Sequence, residues 1–176
     1  RTAAGAAQAL ANMGPLAESA IPDLLEALNS VNLIHSRLVA KALSNVGPKA
    51  LPALISRLGD QRPFVRREVI VAIGFMGMRA GMAVPALTQR LQELRHQDCT
   101  TPAPKEIDEF EKTIPTSVLV VDFDPRDEAV TILETLARIG PAAIGAKATL
   151  QEMLRDADPR LSHAAAQTLL QITGWQ

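Results

Sequence analysis

Tyrosine is absent from this 176-residue chain, tryptophan and cysteine occur once each, and aromatic residues make up only 3% of it. Each shortage excludes something. A single cysteine, Cys99, cannot build an internal disulfide framework and says little about compartment. So few rings leave no platform on which nucleic-acid bases could stack, and a net charge of −1 gives no basic footprint, so nucleic acid is not an expected partner. No apolar run approaches the ~20 residues that cross a bilayer as a helix, so membrane insertion is not expected either. No secretory signal is visible. The chain opens at Arg1 inside what reads as a helix, which suggests a soluble segment of a longer protein, with the cytoplasm as the favoured compartment.

Catalytic patterns are missing too. There is no phosphate-binding loop, nucleophile elbow or Gly-rich dinucleotide motif. His35, His96 and His163 stand far apart, with no partners at metal-ligand spacing. His96 and Cys99 are three residues apart, but two ligands do not make a zinc site. Cys99 as a nucleophile would have only His96 as a local base. No catalytic, cofactor-binding or metal-binding residue is predicted, and no enzyme activity is expected.

What is present is a 47% apolar composition built from Leu, Ala, Val and Ile, suited to small helices stacked closely. Its clearest expression is Pro48 to Gly77. Leu51-Pro52 opens a short helix, because proline in a first turn loses no hydrogen bond. Leu54, Ile55 and Leu58 follow at helical spacing. Gly59-Asp60-Gln61-Arg62-Pro63 stops that helix and starts the next, with Gly59 suited to a C-terminal cap. Val65, Val69, Ile70, Ala72, Ile73 and Met76 give the second helix a wide apolar face. Gly74 within it permits close approach of a neighbour, and Gly77 ends it. So short a pair cannot bury its own apolar face and needs copies beside it.

Copies occur. Ile21-Pro22, Leu51-Pro52, Val84-Pro85 and Ile114-Pro115 are spaced 30, 33 and 30 residues apart, and Lys147-Ala148 follows after another 33. Inter-helix turns recur at 60–63, 122–125 and 156–159, with Asn29-Ser30-Val31-Asn32 a softer version. Units end at Gly14, Gly47, Gly77, Gly140 and Gly174. Predicted helices run from Thr2 to Met13, Pro22 to Leu28, Leu33 to Val46, Pro52 to Leu58, Pro63 to Met76, Pro85 to Gln97, Asp127 to Ile139, Ile144 to Arg155 and Arg160 to Thr173. Three landmarks recurring in one order with a period near 30 residues indicate a solenoid.

The pattern Pro-x-Leu-x-x-x-Leu, Asp-x-x-Pro-x-Val-Arg, Ala-x-x-Gly-x-x-Gly, carried by Pro52 to Leu58, Asp60 to Arg66 and Ala72 to Gly77, resembles the HEAT repeat family. The closest likeness is to the short HEAT-like repeats of phycobiliprotein lyases and many bacterial proteins. The resemblance covers nearly the whole chain and implies one all-α domain over 1–176. It would be a right-handed α-solenoid of about five helix pairs plus a leading half-repeat, with the third or fourth unit irregular. It implies a non-catalytic scaffold that binds a protein or peptide along a concave face lined by second helices. The alternative it implies is a phycobilin-lyase-like subunit handling a bilin and its acceptor, although a tetrapyrrole pocket would want converging aromatic and basic groups. Deoxyhypusine hydroxylase, a HEAT-like enzyme, binds iron through His-Glu pairs, and no His-Glu dipeptide occurs here.

The irregular part is 98–124. Pro102 and Pro104 stand close together, and Pro115 to Phe123 has β-branched content that would suit a strand. It reads either as a divergent unit or as an insertion into one unit, and the register of Pro85, Pro115 and Pro125 favours the divergent unit. Charge is uneven along the chain: residues 1–97 balance at +5 and residues 98–128 at −6. Glu106, Asp108, Glu109 and Glu111 are therefore candidates for meeting a basic partner, although a solvated helix face is the plainer reading. Among the densest basic group, Arg62 and Arg67 are partner-binding candidates. Arg66 occupies the position at which the family places an arginine, which implies pairing with turn acids of a neighbouring unit, and Asp60 is the nearest. Trp175 reads as a cover for the end of the core.

Overall fold

The computed structural model describes residues 3–29, 33–96 and 124–174. Among the described residues every regular element is helical. The helices are α1 (Ala3–Met13), α2 (Ile21–Ala27), α3 (Leu33–Val46), α4 (Leu51–Arg57), α5 (Pro63–Met76), α6 (Val84–His96), α7 (Pro125–Ile139), α8 (Lys147–Met153) and α9 (Pro159–Thr173). Short 3-10 segments at Gly14–Ala20, Pro48–Ala50, Gly77–Ala83 and Gly140–Ala146 join one unit to the next.

Local chemistry sets these boundaries. Proline stands in the first turn of α2, α4, α5, α7 and α9, where no intrahelical N–H bond is lost. Asp124 and Asp158 cap α7 and α9, accepting from the backbone N–H of Arg126 and Arg160 at 2.8 Å each. The cap of α5 is arranged differently: Asp60, two residues before Arg62, accepts its backbone N–H at 3.0 Å. The five unit-ending glycines are the residues with positive φ, from +55° at Gly14 to +97° at Gly47, a backbone conformation that a Cβ would strain. Gly59 is not among them, so it is no left-handed cap. The first helix expected from Ile144 begins instead at Lys147, because Gly140–Ala146 forms a 3-10 connection.

The odd-numbered helices stack in order, α1 on α3, α3 on α5, α5 on α7 and α7 on α9, and each even-numbered helix packs on the odd one that follows it. Leu43, Leu54, Ile73, Leu91, Leu136 and Leu150 are fully buried between the two layers. The close approach expected at Gly74 is real. A Cβ there would stand 3.0 Å from Thr135 Oγ1 on α7, and the same hydroxyl donates to the Ile70 carbonyl at 3.3 Å.

The order of packing bears on the irregular stretch. Residues 97–123, and with them the unit expected there, lie outside the described residues. The helices on either side, however, pack on each other: α6 lies against α7, and α7 lies directly on α5. The described residues therefore build four helix pairs and a leading helix, with α7 stacked directly on α5. Asp124-Pro125 opens the helix on which the helix from Val84-Pro85 packs.

Two continuous helical stretches, 63–95 and 125–153, are long and apolar enough by length and composition to cross a membrane, with mean hydropathy of 1.7 and 1.2. That is more than the sequence reading allowed. Each turns at a positive-φ glycine, Gly77 or Gly140, and about half of each apolar window is buried inside the protein, 56% and 50%. Both are core helices of a layered stack.

Candidate interaction surface

Charged side chains fall into two groups with different fates. The first runs along the turns and binds unit to unit. Arg62 donates to Asp60 Oδ1 and Oδ2 at 3.0 Å and, from Nη2, to Asn29 Oδ1 of the preceding unit at 2.9 Å, and it lies over the Phe64 ring. Arg57 stands 3.5 Å from the same aspartate. Hydrogen bonds from the Arg62 side chain, and with them its backbone N–H and charge, hold the Asp60 carboxyl below its usual value against the opposing effect of burial. Further along, Arg160 bridges Asp158, Asp124 and Asp127, and Arg126 reaches Asp158 at 3.6 Å.

At the centre of this network is Glu128, which is 0% exposed. Arg66 holds both of its oxygens, with Nη2 at 2.8 Å, and Arg90 holds Oε1 at 2.8 Å. Arg66 also donates to the Asp60 and Gln61 carbonyls. The implied pairing of Arg66 with a neighbouring unit is thus present, but through Glu128 rather than the Asp60 carboxylate. The chemistry is physically sound, because a buried carboxylate needs its charge and lone pairs answered together. Arg62, expected to be available to a partner, is engaged in holding its own turn.

The second group lies on the face of the odd-numbered helices that points away from the even layer. Arg37 of α3, Arg67 of α5 and Arg138 of α7 line one groove of about 170 Å³, with Val71, Phe75 and Thr131 in its wall. Phe75 is 39% exposed, and the Arg138 guanidinium lies 5.9 Å from its ring centre. Glu134 is the one acid lining the groove. Unlike the turn arginines, Arg37, Arg67 and Arg138 take part in none of the ion pairs among the described residues. Next to Arg67, Glu68 is 4% exposed, and its Oε2 has no hydrogen-bond partner among the described residues. Burial raises its pKa, opposed in part by the charges of Arg37 and Arg67 and a hydrogen bond from Ser36.

Of the residues singled out from sequence, Arg67 alone lines this groove. Glu106, Asp108, Glu109, Glu111, Cys99 and Trp175 lie outside the described residues, as do the side chains of His35 and His96. His163 is exposed on α9 and hydrogen-bonded to Gln167. Sequence reasoning missed Arg37, Arg138 and Phe75. A signal for the first existed: Arg37 precedes Arg67 by 30 residues, the period of the repeat itself. Arg138 carries no such mark. A second cleft, about 220 Å³, opens beside Val84, Thr88 and Gly145. Both volumes fall below the roughly 300–1,000 Å³ of small-molecule pockets.

A family model described as HEAT repeats matches residues 21–103, and a second, described as PBS lyase HEAT-like repeat, matches residues 3–30. Residues 3–103 thus match models of HEAT repeats. The α2/α3 and α4/α5 pairs are the HEAT repeats covered whole by the first match, and α1 falls within the second. Two crystal structures of engineered proteins align with 97% of the chain. One is 19% identical over 44% of its own length with a TM-score of 0.46, and the other is 18% identical over 90% of its length with a TM-score of 0.31. The chain thus spans less than half of the first of these structures. No curated protein matches it.

Proposed function

We propose that this chain is a non-catalytic scaffold, coiled as a right-handed solenoid, that holds a protein or peptide along the concave face formed by its second helices α3, α5, α7 and α9. One observation carries the reading. Arg66 and Arg160 are engaged in ion pairs that join units, whereas the outward face of the odd helices keeps a groove built across three consecutive units whose arginines take part in no ion pair among the described residues. Such a surface offers a partner pre-placed donors on a rigid stack, which reduces the cost of ordering side chains on binding. Function in this family resides in such surfaces rather than in the fold.

The test is positional. A photo-reactive phenylalanine analogue at Glu134 or Gln167, on the odd helices, is expected to cross-link one shared partner in the source cells. The same group at Gln89, on α6, is expected to give none. Adducts from Gln89 alone would reject the concave face.

A further inference from the structure

We infer that the groove between α3, α5 and α7 recognises a carboxylate-rich linear peptide segment, with Arg37, Arg67 and Arg138 as its carboxylate receptors and Val71 and Phe75 as its apolar floor. This rests on the reading of the odd-helix face as the binding surface and names the chemistry of what sits there.

Charge complementarity carries the argument. Three guanidiniums from three successive helices line the groove against a single acid, Glu134. None of the three has an ion-pair partner among the described residues, whereas Arg62, Arg66, Arg90 and Arg160 are all paired. Unpaired guanidiniums fixed on a stack are matched by carboxylates, which accept two parallel hydrogen bonds from one guanidinium. Phe75 and Val71 add an apolar strip between them, so side chains alternating between acidic and apolar suit the groove better than a free small anion.

The probe is a fluorescein-labelled 12-residue peptide alternating Glu with Leu, compared with its Gln-for-Glu twin by fluorescence anisotropy. The acidic peptide is expected to bind at least tenfold more tightly than the twin and to weaken steeply with added salt. Arg67→Glu and Arg138→Glu should each reduce binding at least tenfold. Arg155→Glu, an equal charge change at an exposed position in the turn after α8, should stay within twofold. Arg67→Gln, gentler to the fold, should fall between. Equal binding of both peptides, or an equal loss in Arg155→Glu, would overturn the assignment. Displacement of the peptide by micromolar inorganic phosphate would also overturn it, indicating a small-anion site. Cross-links from Glu134 without acidic-peptide binding would reject this chemistry alone, whereas cross-links only from Gln89 would reject the face as well.

Discussion

At the scale of single residues, two buried acids of this chain are answered differently by their surroundings. Glu128 is buried and fully answered by Arg66 and Arg90. Glu68 is buried with one oxygen unanswered. Because burial raises the Glu68 pKa from 4.5, the folded protein binds this proton more tightly than the unfolded chain does. Stability is therefore lost as pH rises through and above 4.5, and the loss persists at neutral pH. Glu68→Gln should accordingly stabilise the protein at pH 7 by about 1 kcal/mol, the scale of one unsatisfied buried group. Thermal unfolding followed at pH 7 and pH 4 checks this, with the gain expected to vanish at the lower value. Asp60 behaves oppositely. Its pKa is held below 3.8 chiefly by the Arg62 side chain, so its contribution is present above that value and is lost on acidification.

At the scale of elements, most helices were legible because their ends are written in residue types: proline at entry, aspartate at the cap, glycine at exit. Pro63 to Met76 and Leu33 to Val46 were placed to the residue. Two features were not legible. The 3-10 connections are joined without a break to the helices that follow them, so Ile144 read as part of a first helix although it is 52% exposed. The packing of α6 on α7 was hidden as well, because Ile114-Pro115 keeps the repeat spacing between them. Since α6 and α7 already close their unit, replacing 97–123 with a five-residue turn like 154–158 should preserve the fold. Circular dichroism is expected to show helix retained over the rest of the chain. The midpoint of unfolding should move by no more than a few degrees, because loop length costs little by itself. A collapse of the cooperative transition would show that the intervening residues complete the stack.

At the scale of the whole molecule, each unit touches mainly its neighbours, so stability is a sum of units and the links between them. One link stands out. Glu128 joins α5, α6 and α7 through Arg66 and Arg90, which are 12% and 15% exposed at their side chains. Removing its carboxylate strands two largely buried guanidiniums. Glu128→Ala should cost about 3 kcal/mol, in the range seen when one partner of a buried pair is deleted. Chemical denaturation should show both a lower midpoint and a broader transition, as the repeats on either side of α7 lose their coupling.

The amino-acid order alone determined the repeat, the layer each helix joins and the family, because periodicity, caps and breakers act within a few residues of one another. It also placed Gly74 at a close approach and gave Arg66 to a neighbouring unit. Only the tertiary structure decided which acid Arg66 meets, that Arg62 is consumed by its own turn, and that Arg67 shares a groove with Arg37 and Arg138. The reason is geometric. Arg66 and Glu128 are 62 residues apart, and partners at that distance are chosen by how the helices stack across 97–123, which no local pattern encodes.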